Sequence, residues 1–172
     1  MMTAPDDGTL HGGPWPVDAL ASELAGLREQ GLRVVFTNGC FDLLHPGHVD
    51  LLERAAAAGD CLVVAVNDDD SVRRLKGTER PILPLAERLE ILAAIRWVDY
   101  TVSFCEDTPL ELICQLRPDV LVKGADWPEA DIVGAVEVRS WGGEVVSVPL
   151  VKGLSTTRLV ERIRSLAMPG ED

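Results

Sequence analysis

RVVFTNGCFDLLHPGHVDLLERA, residues 33–55, passes from an apolar run through a polar turn into a helical pattern. Residues 33–38, RVVFTN, have the continuous apolar character of a strand buried on both faces. From Pro46 onward, Val49, Leu52 and Ala55 recur at helical spacing and share one face. The turn between them holds His45 and His48, two of the chain's three histidines. Pro46 suits the first turn of a helix, where its missing N–H costs nothing. Gly47 lets a ligand approach the backbone. His48, three residues after His45, falls on the same side of the helix start. The positive end of the helix dipole and its unpaired N–H groups attract phosphate there. An isolated H-x-x-H is equally the pattern of two half-exposed histidines at a helix start. The preceding TNGCFD and the position directly after a strand favour a binding site.

Outward from this stretch the same alternation continues. Residues 17–31, VDALASELAGLREQG, predict an amphipathic helix ending at Gly31. Strands are expected at 61–66 (CLVVAV), 99–104 (DYTVSF), 119–124 (DVLVKG) and 144–149 (EVVSVP). Helices are expected at 85–95, at 109–116, somewhere within 129–141, and at 155–167. Apolar strands alternating with helices imply an α/β fold. The expected architecture is a Rossmann-like, doubly wound, five-stranded parallel sheet with helices on both faces. In such sheets ligands bind outside the carboxyl ends of the strands, near the point where strand order reverses. The first strand-to-helix turn carries no G-x-G-x-x-G, and the chain has no P-loop pattern.

The 172 residues fit one domain at 15–172, preceded by a Gly-, Pro- and Asp-rich flexible tail at 1–14. A net charge of −12 argues against nucleic acid or an anionic membrane as a partner, while leaving room for a local cationic cluster that holds a small anion. The four cysteines form no CxxC pair, so no disulfide framework or zinc site is expected, and a reducing cytoplasm fits. No signal peptide is visible, and no apolar run approaches the ~18 residues of a membrane span. Asp68, Asp69 and Asp70 suggest a metal cluster at first sight, but a solvated loop or helix cap after the second strand is the better reading, and no protein metal site is expected.

GCFDLLHPGH (39–48) resembles the HxGH signature of the cytidylyltransferase-like nucleotidyltransferases. Together with VAVNDDDSVRRLKGTERPILPLAERLEIL, VDYTVSFCEDTP, PDVLVKGADW and GGEVVSVPLVKGLSTTRLVERI, it resembles the adenylyltransferase domain of bacterial ADP-heptose synthases over about residues 30–165. HxGH alone marks the superfamily. The ordered RLKG…RP, LVKGAD and GxSTT segments mark the heptose branch. Many members fuse this domain to a sugar kinase; the present chain resembles the stand-alone form.

The resemblance implies transfer of AMP from ATP, with Mg²⁺, to D-glycero-D-manno-heptose 1-phosphate, and a homodimer. The alternatives are another nucleotidyltransferase, such as one making CDP-glycerol, or a non-catalytic nucleotide-binding subunit. It further implies that His45, His48 and Lys76 act on the phosphates during catalysis. Asn38, Gly39, Cys40, Phe41 and Gly47 would line the nucleotide site. Lys123, Gly124 and Asp126 would contact the nucleotide, and Ser155, Thr156 and Thr157 would close on its phosphates. Asp42, Arg80 and Arg88 would serve the acceptor. For Asp42, ordering of the loop is the stronger reading; Arg88 also fits a helix-surface ion pair. Lys76 is expected in a mobile loop, and Ser155 is also a natural helix N-cap. Cytidylyltransferases of the superfamily carry RTEGIS where this chain reads PLVKGLS, which separates it from them and leaves open whether Lys152 replaces the arginine.

Overall fold

A computed structural model describes residues 13–124, 131–149, 151 and 153–167. The elements follow one another as α1 (Val17–Glu29), β1 (Val34–Gly39), α2 (Pro46–Ala56), β2 (Cys61–Asn67), α3 (Asp69–Lys76), α4 (Leu85–Ala93), β3 (Tyr100–Phe104), α5 (Leu110–Leu116), β4 (Val120–Gly124), α6 (Ala135–Ser140), β5 (Glu144–Val148) and α7 (Thr156–Ala167). The five strands pair in parallel in the order β3-β2-β1-β4-β5. The chain thus builds outward from β1 to β3, returns to the other side of β1, and builds outward again. The switch point lies between β1 and β4.

Side-chain alternation along the strands feeds two cores. Val34, Phe36, Val63, Ala65 and Leu121 pack against α1, α5 and α6. Val35, Leu62, Val64, Val66 and Val122 pack against α2 and α4. Each fully buried Val or Leu contributes about 1.5–3 kcal/mol relative to exposure. All seven residues of β2 are buried, which is why its sequence is a continuous apolar run. Among the described residues no helix is long and apolar enough to cross a membrane.

The amino-terminal edge of the sheet is closed by carboxylates. Asp60, Asp99 and Asp119 each precede a strand. They accept hydrogen bonds from the N–H groups of Arg33, Leu62 and Val34, each at 2.8 Å. Much acidic charge is thereby placed away from the carboxyl end, where the chemistry lies.

Two departures from the sequence reading are instructive. Residues 69–76, expected as a loop, form α3. Its sequence, DDSVRRLK, has too few apolar residues to show a helical stripe, but its charges suit the dipole: Asp69 and Asp70 in the first turn, Arg73, Arg74 and Lys76 in the last. Asp68 caps it, accepting from the Ser71 N–H at 2.7 Å, in line with the helix-cap reading of the aspartate run. Lys76 therefore ends a helix, with Gly77 following at φ +97°. At the amino end, Pro14 bridges Thr101 and the Trp15 N–H donates to the Thr101 carbonyl at 2.9 Å. The remaining tail, 1–12, lies outside the described residues.

Candidate active site

At the end of β1 the chain must turn sharply to start α2. A Cβ on Gly39 would lie 3.1 Å from the Phe41 ring, so glycine gives that ring room to fold back under the strand end. Phe41 itself is buried with φ at +45°, a conformation that costs energy and needs support from around it. Two buried polar groups supply the support. Asp42, 1% exposed, pairs with Arg80 and accepts from the Ile82 and Leu83 N–H groups at 2.7 and 3.0 Å. Arg88, also 1% exposed, donates to the Cys40 carbonyl at 2.6 Å, the Leu83 carbonyl at 3.0 Å and the Asp69 carboxylate at 2.8 Å. The two side chains tie the turn after β1 to the start of α3 and to the segment before α4.

On this footing stand the histidines. Their rings stack at 3.8 Å between centroids, 21° apart, and His48 leans on Phe41 at 5.3 Å. A Cβ on Gly47 would come within 3.1 Å of the His45 ring, so the glycine makes room for it. Burial pushes both imidazole pKa values down. His48 falls to about 4, with the His45 ring adding to the effect; His45 falls less, its own backbone opposing the shift. Both Nδ1 atoms are buried without a hydrogen-bond partner among the described residues. α2 has no side-chain cap. Buried polar atoms without partners are costly, and natural structures keep few of them. Both rings also line the cavity beside the uncapped start of α2, where the helix dipole favours an anion.

The surrounding cavity is about 680 Å³, ample for a nucleotide. Asn38, Gly39, Cys40, Phe41, Asp42 and Gly47 line its floor with the histidines. Lys123 and Gly124, at the end of β4, form one side. The Lys123 ammonium donates to the Asn38 side chain at 2.9 Å; burial lowers its pKa, partly offset by Cys40. Lys76 and Arg80 stand on the other side. Ser155, Thr156 and Thr157 close the rim. Ser155 caps α7 by accepting from the Arg158 N–H at 3.2 Å, and the Thr156 hydroxyl donates to the Leu43 carbonyl at 3.4 Å. On an acidic protein, three cationic side chains line one hollow and offset the carboxylates of Asp42, Asp107 and Asp131 there, which leaves it open to an anionic ligand.

Of the described residues singled out from sequence, one is not brought to this wall. Arg88 is neither on the helix surface nor against the cavity; it lies beneath the turn after β1. Asp126, like Lys152, falls outside the described residues. Conversely, Asn67, Asp107 and Thr108 line the cavity from the ends of β2 and β3, and Ile132, Val133, Val151 and Leu154 line it beyond β4. The rule that drew attention to the end of β1 applies to every strand end, and could have found the first three. Among the described residues no group of three or more His, Cys, Asp or Glu side chains gathers to hold a metal ion.

Residues 36–162 match the family described as cytidylyltransferase-like. The chain is 59% identical over 145 residues to the bifunctional protein HldE of Gluconacetobacter diazotrophicus, covering 84% of this chain and 30% of that protein. It is 55% identical over 161 residues to the bifunctional protein HldE of Gluconobacter oxydans, covering 94% of this chain and 33% of that protein. The chain therefore spans about a third of the length of these curated relatives. Among solved structures, a lipopolysaccharide core biosynthesis protein from Thermoplasma volcanium superposes with a TM-score of 0.58 at 29% identity, covering 71% of this chain and 98% of that one.

Proposed function

The chain belongs to the cytidylyltransferase-like family, and from that premise we propose that it is an adenylyltransferase that joins AMP from ATP to D-glycero-D-manno-heptose 1-phosphate, releasing pyrophosphate. The observation that carries this reading is the stacked pair His45–His48 at the uncapped start of α2, lining one cavity with Lys76, Arg80 and Lys123.

The sugar phosphate is the nucleophile. One of its oxygens attacks the α-phosphorus of ATP in line; the new P–O bond forms as the bond to the β-phosphate oxygen breaks, and pyrophosphate leaves with that electron pair. A phosphate monoester is already ionised near neutral pH, so no general base is required. What remains is alignment and stabilisation of spreading negative charge. His45 and His48 would donate to the α-phosphoryl oxygens. The α2 start would add its dipole. Lys123 would hold the nucleotide, Lys76 and Arg80 the acceptor phosphate, and Ser155 to Thr157 the outer phosphates. Mg²⁺ would arrive on the triphosphate as part of the substrate. The same reading takes the protein as a cytoplasmic homodimer.

The test is pyrophosphate release from each of the four nucleoside triphosphates against a panel of sugar and polyol phosphates. ATP with heptose 1-phosphate should give the highest kcat/KM. CTP with glycerol 3-phosphate should be at least about tenfold worse, since each mismatched buried donor or acceptor costs ~1–3 kcal/mol. Heptose 7-phosphate should fail as acceptor, because its phosphate sits on the wrong carbon. Equal or better rates with CTP and a polyol phosphate would replace the heptose assignment by cytidylyl transfer while leaving the histidine chemistry in place.

A further inference from the structure

We propose that Asp107 and Thr108, in the segment following β3, recognise the hydroxyl groups of the acceptor and set which sugar phosphate the enzyme accepts. The inference rests on the reading above and extends it to a part of the cavity that phosphate chemistry leaves unexplained.

The cavity straddles the switch point of the sheet, and its two wings differ in chemistry. Beyond β4 the wall carries Asp131 and a run of apolar side chains, with Val133 and Val151 each 39% exposed and Leu154 40% exposed. Half-exposed apolar side chains on a concave wall suit the faces of a flat base, which would take them out of water. Beyond β2 the polar side chains Asn67, Asp107 and Thr108 line the wall beside Leu75 and Pro109, and Lys76 and Arg80 line the same cavity. A polyol requires such a wall, because each hydroxyl needs both a donor and an acceptor when it leaves water.

Spacing favours the same assignment. β3 is two strands from β1. At ~4.8 Å per strand its end lies roughly 10 Å from the end of β1, about the reach of a sugar whose phosphate sits at the histidines. That distance also resolves the oddity of a carboxylate in a site for anions. Asp107 beside the phosphates would repel them; two strands away it meets neutral hydroxyls.

The two side chains are poised for this task and have little other use. Arg74 holds Asp107 through one carboxylate oxygen at 2.7 Å and donates to the Cys105 carbonyl, which fixes the segment. The other Asp107 oxygen and the Thr108 hydroxyl have no partner among the described residues. The Arg74–Asp107 pair is 48% and 68% exposed, and such pairs add little stability. Substitution therefore tests recognition rather than folding.

The experiment compares Asp107→Asn, Thr108→Val and Val133→Ser with wild type, using heptose 1-phosphate and ATP. Asp107→Asn and Thr108→Val should each raise the acceptor KM by about tenfold, the size of one lost hydrogen bond in a recognition site, with the ATP KM and melting temperature unchanged. Val133→Ser should do the reverse. Calorimetric binding of heptose 1-phosphate in the presence of a non-hydrolysable ATP analogue reads the same quantity without turnover. If wild type uses another sugar or polyol phosphate, the heptose reading fails, and the same variants are scored with that acceptor. An unchanged acceptor KM in both variants, or a rise in the ATP KM instead, overturns the proposal.

Discussion

Two helix starts face the cavity, and they solve the same problem in opposite ways. α7 has a side-chain cap: Ser155 accepts from the Arg158 N–H. α2 has none. Its first helical residue, Pro46, has no N–H, the His48 N–H turns back to the His45 carbonyl at 2.8 Å, and the Gly47 N–H has no partner among the described residues. Their support differs as well. α2 buries Leu52 and Ala55 against the sheet, and the turn leading into it is held from below by Arg88 and Asp42. α7 leaves Ile163 and Leu166 58% and 75% exposed and is held by one threonine hydroxyl and a surface pair between Arg164 and Glu79. A side-chain cap holds a helix start from within its own first turn. A start without one must be held from outside, and here a buried guanidinium does so.

The strongest way to break this contrast is to remove that guanidinium. Arg88→Met would leave the Cys40 and Leu83 carbonyls and the Asp69 carboxylate without their donor. It should cost about 3–5 kcal/mol of stability, the scale of breaking a buried charge pair. Arg88→Lys keeps the charge but not the three-way fork, and should recover only part of it. Denaturant melts decide the matter: an unchanged midpoint in Arg88→Met means that the turn is held some other way.

The next effect is catalytic. His45→Ala and His48→Ala should each lower kcat by about 10²-fold or more while moving the melting temperature little. Near-normal turnover in either would remove that histidine from the mechanism. The pH behaviour of His48 sharpens the point. Its pKa falls from 6.5 to about 4 on folding, so between those values the unfolded chain binds more protons. Stability should therefore decline as pH falls through that window, and His48→Gln should flatten the decline. Bound phosphate should reverse the shift, so ATP binding near pH 6 should take up protons, measurable from calorimetry in buffers of differing ionisation enthalpy.

The smallest effect belongs to the self-capped helix. Ser155→Ala should cost about 1 kcal/mol of local stability and weaken ATP binding severalfold. A loss of kcat as large as that of His45→Ala would erase the distinction between the two helix starts.

The contrast also separates what was legible in the sequence from what was not. Within the turn, HPGH could be read because each residue type answers a local demand: a proline where no N–H is needed, a glycine where a ring must pass, imidazoles three apart. Lys76 was legible as a cation and misplaced as a loop residue, because α3 advertises itself by end charges rather than an apolar stripe. Arg88 was legible as an acceptor residue or the partner of an ion pair, but not as a buried support of the turn. On an amphipathic helix a long cationic side chain looks like surface, and nothing within LAERLEILA says that another loop's carbonyl will descend onto it.

The alternation of strands and helices, the parallel sheet and the turn that carries the histidines can all be read from the chain's own residues. These are properties of hydrophobic period and local backbone preference, which act over a few residues. Packing of the whole chain places Arg88 under the turn and brings Asp107, Thr108, Val133, Leu154, Lys76 and Lys123 to the same hollow. Those arrangements depend on the strand order β3-β2-β1-β4-β5, which brings the ends of distant segments side by side. That order is a property of the whole chain's packing, and no local run of residues encodes it.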